Sequence, residues 1–404
     1  MDTNQRKISC IESINSIFVH QSMTKQKYIL TVVGARPQFI KAAAISRCLR
    51  KNFSDIREEL IHTGQHFDNA MSQVFFDELG IPAPKEHLSR KSDHALSLGQ
   101  MIDELYAVFL GEKPDGVLVY GDTNSTFAAA VAANMLHIPL FHIEAGLRSF
   151  NKSMPEELNR IYTDQVATLL FCPTQTALHN LEGEGFDTNA RAPFFQDKPG
   201  VFMTGDIMLD NLSYFSQQLR GSWLEQLQIQ QDYYVLLTLH RPQNADDTLR
   251  LEAILSGLLE VCSNMDLKLV FPVHPRTLKT LQTLPALFNL LKEHPQVRII
   301  DPLTYLAVLE LTKNARFVAT DSGGLQKEAH FMNKPVVVLR KETEWTEIID
   351  DNNGVLVDAD PLKIKNIPHW LQNEASNSYT PHFGNGKAAE ETCSIIHEFL
   401  FSNP

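Results

Sequence analysis

A short run through two glycines holds the first residues that can do chemistry. Ala319-Thr320-Asp321-Ser322-Gly323-Gly324-Leu325-Gln326-Lys327-Glu328 passes from an apolar strand directly into a helix. Free backbone N–H groups at a helix start carry partial positive charge, and glycine lets a phosphate approach the main chain closely. Glu328 follows Gly324 by one helical turn on the same face, where a carboxylate can accept hydrogen bonds from a ribose diol. Ser322, Gly323, Gly324 and Glu328 thus outline a site for a nucleotide diphosphate held without a metal. The plainer reading is a tight turn with an exposed glutamate.

Acid–base groups stand elsewhere. Asp122 follows the run Gly116–Tyr120 and is either the N-cap of the next helix or a reactive carboxylate. In Phe141-His142-Ile143-Glu144, period-2 alternation puts His142 and Glu144 on one strand face. A half-buried carboxylate there needs a reason: pairing with Arg148 or His142, or a raised pKa for proton transfer. Ser153 and Glu156 have the spacing of a capping box, which competes with a catalytic role for Glu156. Arg36 and Lys41 lie close to the positive end of the helix that Pro37 opens, an arrangement that costs stability unless an anion is bound. His240 in Leu239-His240-Arg241-Pro242 and His274 in Val273-His274-Pro275-Arg276 follow strands in the same manner; each is otherwise a satisfied buried histidine. Breaking a bond to a diphosphate leaving group needs cations or N–H dipoles on the departing oxygens, which Ser322, Gly323, Gly324, His240 and Arg36 can supply. Proton abstraction elsewhere on the attached group needs a carboxylate base: Asp122, Glu144 or Glu156.

Other chemistries find little support. The chain shows no nucleophile elbow, no H-E-x-x-H, no Cys/His ligand spacing and no G-x-G-x-x-G after a first strand, which disfavours serine or zinc hydrolysis and NAD. Asp358-Ala359-Asp360 reads as a loop, and no metal or other cofactor is expected. A net charge of −12 without a basic stripe argues against nucleic acid or an anionic membrane as partner. Five scattered cysteines read as reduced thiols of a cytoplasmic protein.

The elements that must position these groups alternate along the chain. Strands are expected at 28–33, 60–62, 116–120, 140–143, 169–172 and 201–204, then at 233–238, 267–271, 297–300, 317–319, 336–339 and 355–357, separated by amphipathic segments. That is the βαβ pattern of parallel sheets, and 404 residues suit two doubly wound α/β domains. The expected division is a polar, disordered extension over 1–26, with Met23 a natural start for a shorter product, then domains over 27–205 and 206–385 and a final helix over 386–404. Ligands of open α/β sheets bind beyond the carboxyl ends of the strands, so two such domains would face each other across a cleft.

Taken together, Gly34-Ala35-Arg36-Pro37-Gln38-Phe39-Ile40-Lys41, His-Thr-Gly-Gln-His (62–66), Gly121 to Thr126, His142 to Arg148, Met154 to Arg160 and Thr320 to Glu328 resemble the non-hydrolysing UDP-N-acetylglucosamine 2-epimerases. The similarity runs from about residue 28 to 357. It implies the GT-B fold of two Rossmann-like domains, usually as a homodimer, with the last helix (390–401) returning to the first domain. It implies a cofactor-free reaction: anti elimination of UDP to a 2-acetamidoglucal, then re-addition with protonation at C2 from the opposite face, in the service of surface polysaccharides such as O-antigen or capsule. By position, Asp122, Glu144 and Glu156 become the acid–base group and His240 assists the phosphate. Arg36, Lys41 and Arg148 face the substrate, Ser322, Gly323, Gly324 and Glu328 bind UDP, and Gln65 and His66 match residues that help bind a second, activating UDP-sugar. One departure stands out: the family's Thr-Glu-Arg-Pro-Glu is Thr343-Glu344-Trp345-Thr346-Glu347 here. An indole cannot replace a charge-assisted contact but can stack on a base or sugar face. With Ala35 and Gln38, Trp345 is similar to the branch acting on UDP-2,3-diacetamido-2,3-dideoxyglucuronic acid. A GT-B glycosyltransferase and a nucleotide-sugar-binding regulator are the competing classes.

Overall fold

The computed structural model describes residues 26–65, 78–88, 96–219, 221–375 and 380–402. The expected N-terminal extension and His66 lie outside them, apart from Gln26. Seven parallel strands form the first sheet: β1 (Lys27–Val33), β2 (Ile56–His62), β3 (Glu86–His87), β4 (Gly116–Tyr120), β5 (Leu140–Ile143), β6 (Leu169–Cys172) and β7 (Gly200–Met203), in the order β3-β2-β1-β4-β5-β6-β7. Six parallel strands form the second: β8 (Tyr234–Thr238), β9 (Lys268–Pro272), β10 (Val297–Ile300), β11 (Phe317–Thr320), β12 (Val336–Val338) and β13 (Gly354–Leu356), in the order β10-β9-β8-β11-β12-β13. The expected strands are present with ends shifted by a residue or a few. The two-residue β3 carries no periodic signal and was not expected.

The helices, in chain order, are α1 (Arg36–Asn52), α2 (Leu98–Glu112), α3 (Asn124–Met135), α4 (Pro155–Val166), α5 (Gln175–Gly183), α6 (Ile207–Phe215), α7 (Ser222–Leu227), α8 (Pro242–Ala245), α9 (Thr248–Asn264), α10 (Pro275–Leu281), α11 (Pro285–Glu293), α12 (Tyr305–Asn314), α13 (Gly323–Phe331), α14 (Thr346–Asp350), α15 (Pro361–Lys365), α16 (Ile367–Asn373) and α17 (Ala388–Ser402). Both faces of each sheet are covered, which is why the strands read as continuous apolar runs. Leu30 and Val32 of β1 pack with Met101, Leu105 and Phe109 of α2. The alternate residues Ile29 and Val33 pack with Ile45 and Leu49 of α1 and with Ile396 and Leu400 of α17. In the second sheet Val235 and Leu237 pack with Leu251 and Leu255 of α9. Among the described residues no helix is long and apolar enough to cross a membrane.

Strand order reverses between β1 and β4 in one sheet and between β8 and β11 in the other. These two switch points open the crevices in which such sheets bind ligands. The chain passes from the first sheet to the second through Gly205-Asp206 and returns through Phe383-Gly384, and the two crossings touch: the Asp206 N–H donates to the Phe383 carbonyl at 2.9 Å. A Cβ on Gly205, whose φ is +87°, would sit 2.8 Å from that carbonyl oxygen, so only glycine fits.

After the return, α17 packs on α1 and α6, with Phe399 edge-on to Phe141 at 5.5 Å. Its first amides are capped from a distance. Asp210 accepts from the N–H groups of Ala388 (3.2 Å) and Ala389 (2.9 Å). Replacing Asp210 with alanine should therefore lower the unfolding free energy by about 1 kcal/mol, the worth of an N-cap, as read by urea denaturation.

Candidate functional site

Arg36, Lys41 and Asp122 lie at the first switch point, after β1 and β4, and His240 and Ser322 at the second, after β8 and β11. After β1, the Gln38 side chain accepts from the Gly34 and Ala35 N–H groups (2.8 and 3.1 Å) and donates to Tyr120 O (3.0 Å) and Thr126 Oγ1 (2.9 Å). It ties the start of α1 to the end of β4. Lys41, one turn further along α1, is carried to the mouth of the crevice and is buried.

Glu144 sits at the centre. Strand β5 ends at Ile143, and Glu144 takes a left-handed φ of +68°, rare for a residue with a side chain and characteristic of functional turns. This rotation breaks the expected alternation, so His142 and Glu144 do not share partners. Glu144 Oε2 meets Lys41 Nζ at 2.8 Å and Lys327 Nζ at 3.2 Å, and its Oε1 lies 4.0 Å from Arg160 Nη2. Burial alone would raise the Glu144 pKa, but the charges of Lys327, Lys41 and Arg160 overcome it and hold the carboxyl well below its usual range. Gly121, whose φ of +62° favours glycine, leaves room beside this pair, since a Cβ there would lie 3.2 Å from Glu144 Oε1 and 3.4 Å from Lys41 Nζ.

Several local expectations are corrected. The N-cap of α3 is Thr123, whose hydroxyl accepts from the Thr126 N–H, and Asp122 instead pairs with Arg160. No capping box opens α4: Met154 occupies the cap position, and Ser153 donates to Asn151 Oδ1 at 2.6 Å. Glu156 is exposed at the first turn of α4, one helical turn before Arg160. Arg148 does not pair with Glu144. Its guanidinium is buried against Asp164 (2.8 Å), both oxygens of Glu184 (2.6 and 2.8 Å) and its own preceding carbonyl (2.8 Å). His142 is held between Asp164 Oδ1 at 2.7 Å and the Gly121 carbonyl at 2.8 Å, and so fixes the turn that presents Asp122.

In the second sheet, Ser322 caps α13 and the glycines form its first turn. A Cβ on Gly323 would meet Glu344 Oε1 at 2.5 Å, whereas one on Gly324 would meet only Ser322 Oγ, at 4.0 Å. Behind this turn, Asp321 is buried and accepts from the N–H groups of His240 and Arg241, from Asn244, and from His240 Nδ1 at 3.1 Å. This fixes the imidazole and leaves its far side toward solvent. His274 is exposed rather than a buried histidine, and its Nδ1 caps α10 by accepting from the Arg276 N–H.

Glu328 is buried rather than exposed, beside Tyr305 and Arg36; burial pushes its pKa up to about 7 against the opposing pull of those neighbours and Lys327. Arg36 reaches from the first sheet to the Leu303 carbonyl (3.3 Å). Trp345 does not offer a ring face to a base or sugar. It is buried, with Lys327 Nζ 3.9 Å from the centre of its ring and Phe383 packed beside it. Gln65 Oε1 accepts from Ser125 N (3.0 Å) and Oγ (2.7 Å) at the start of α3. Asp358 pairs with Arg250, and Asp360 caps α15.

Sequence reasoning missed Lys327, Arg160, Asp206, Asp164 and Asp321 as parts of the site, although Arg160, Asp321 and Lys327 lie within quoted motifs. One signal was available: α13 carries three successive polar residues, Gln326, Lys327 and Glu328, on a helix too apolar elsewhere to leave them all in water, and a buried lysine requires a partner.

The family model described as UDP-N-acetylglucosamine 2-epimerase matches residues 49–397. A UDP-N-acetylglucosamine 2-epimerase homolog of Methanococcus maripaludis is 42% identical over 91% of this chain and 99% of its own. The UDP-2,3-diacetamido-2,3-dideoxy-D-glucuronate 2-epimerase of Pseudomonas aeruginosa is 45% identical over 82% of this chain and 88% of its own. Among solved structures, the Methanocaldococcus jannaschii UDP-GlcNAc 2-epimerase in complex with UDP-GlcNAc and UDP superposes with a TM-score of 0.80 at 37% identity, covering 92% of this chain and 99% of that one.

Glu328 yields a stability prediction. Its folded pKa lies above the ordinary glutamate value, so the folded state binds the proton more tightly, and this contribution is lost as pH rises through about 7. The stability of E328Q relative to the parent chain should therefore grow by about 2 kcal/mol between about pH 5 and about pH 8 in chemical denaturation.

Proposed function

The chain belongs to the UDP-N-acetylglucosamine 2-epimerase family, and from that premise we propose that it inverts C2 of a UDP-linked N-acetylated hexosamine, UDP-N-acetylglucosamine first, without net hydrolysis. The observation that carries this reading is the convergence of two unlike half-sites. A glycine-started helix with an Asp321-oriented histidine stands at one switch point, and a buried carboxylate cluster stands at the other.

In this reading the diphosphate lies at the start of α13, where the amides of Gly323 and Gly324 and the Ser322 hydroxyl meet its oxygens and the outer edge of His240 faces the leaving group. Arg36 and Lys41 add positive charge from the first sheet. A carboxylate of the group Asp122, Glu144 and Glu156 takes the C2 proton. The C–H pair becomes the C1=C2 double bond, and the C1–O pair leaves on the β-phosphate of UDP. Return of UDP to C1, with a proton delivered to the opposite face of C2, gives the inverted sugar still linked to UDP. Two faces require two proton carriers, which explains more than one carboxylate at the sugar end.

A second reading keeps the reaction and changes the sugar to UDP-2,3-diacetamido-2,3-dideoxyglucuronic acid, favoured by the 45% identity to the Pseudomonas aeruginosa enzyme.

The test is NMR of both UDP-sugars with the protein in D2O. Deuterium should appear at C2 of a sugar still bound to UDP, in one substrate faster than in the other. Net release of UDP, or no exchange in either sugar, contradicts the proposal. In the same assay E144Q and D122N should each lose roughly 10²- to 10⁴-fold in exchange rate, the usual worth of a positioned acid or base.

A further inference from the structure

Lys327 belongs to the second sheet's helix α13, yet its ammonium is spent on the first half-site. Its side chain is 1% exposed, and Nζ lies against Glu144 Oε2 and Asp206 Oδ2. The Trp345 ring closes a further side at 3.9 Å. An ammonium has three donors and no fixed plane, so its direction is set wholly by what surrounds it. Here Asp206 and the indole face form the seat, and Glu144 is what the seated charge holds. Water is largely excluded, since Trp345 is 2% and Glu144 7% exposed, so each of these contacts acts at greater strength than on a surface.

We propose that Trp345 and Lys327 act as one positioning unit for Glu144, the indole seating the ammonium and the ammonium fixing the orientation and ionisation of the carboxylate at the sugar end of the cleft. This rests on the epimerase reading of Glu144. The aromatic face attracts the Lys327 ammonium, whereas a cation at position 345 would repel it. Trp345 touches no reacting atom in this scheme and acts only through Lys327. Besides Asp206, the charged groups facing the unit among the described residues are Lys41 from α1, Asp122 after β4, Arg160 from α4, Glu328 from α13 and Glu344 before α14.

The test compares W345L, W345F and K327M with the parent, in the full-length chain. In solvent-deuterium exchange at C2, W345L should lower kcat roughly 3- to 30-fold, the range of a buried cation–π contact, while KM stays within about 2-fold. The acid limb of its kcat profile should move to higher pH, because Glu144 loses part of the charge that keeps it ionised. K327M should do the same to a greater extent, and W345F, which keeps a ring face, should recover most of the loss. A KM rise at unchanged kcat would make Trp345 a substrate contact and overturn the proposal. Crystal structures of W345F and W345L read the geometry without any turnover: Lys327 Nζ should remain on Glu144 in the first and leave it in the second, and an unmoved Lys327 in W345L overturns the proposal. If the parent shows no C2 exchange, the epimerase reading fails by itself, and the crystal geometry alone decides the positioning unit.

Discussion

The ion pairing between Lys327 and Glu144 joins the two halves of this molecule, helix α13 of the second to the end of β5 in the first. Burying charge is expensive, and the structure offsets the cost by balance: Lys41, Arg160 and Lys327 meet Asp122, Glu144 and Asp206 within one cluster. Removing any one leaves a charge without its counterpart in a poorly solvated place. Much of the surrounding architecture serves this cluster. Gly121 makes room for Lys41 and Glu144, His142 and Asp164 fix the turn above it, the left-handed backbone of Glu144 aims its carboxylate, and Gly205 lets the two crossing segments touch beside Asp206.

The division of labour follows from topology. Each sheet has one switch point, and each supplies a different kind of group. The second sheet offers N–H dipoles at a glycine-started helix and a histidine steered by a buried aspartate, which suits a phosphate leaving group. The first offers carboxylates under the control of cations, which suits proton transfer at carbon. A Glu144 held strongly ionised is ready to accept a proton but is not by itself a strong base.

Much of this was legible in the sequence, for physical reasons. The βαβ alternation is written in apolar runs because parallel strands are buried on both faces, and the polar residues that interrupt the pattern fall at strand ends because ligands bind there. What was not legible is pairing. Spacing placed His142 and Glu144 on one face, but a single positive φ sends them to different partners. Asp122 and Ser153 looked like caps, but the caps fall at Thr123 and Met154, one residue away, where backbone geometry rather than residue type decides. Nearness along the chain suggests Arg148 as a partner for Glu144; two acidic residues more distant in sequence, Asp164 and Glu184, claim it. Trp345 was visible as a departure from its family, but its partner Lys327 lies 18 positions away and only the folded chain brings them together.

The central claim is that the two half-sites are coupled energetically through Lys327 and Glu144. A double-mutant cycle on E144Q and K327M, scored by unfolding free energy, measures that coupling directly. An interaction energy of at least about 1 kcal/mol is expected for a buried pair in one network, whereas additivity within about 0.3 kcal/mol would show that the two residues act independently and would contradict the account.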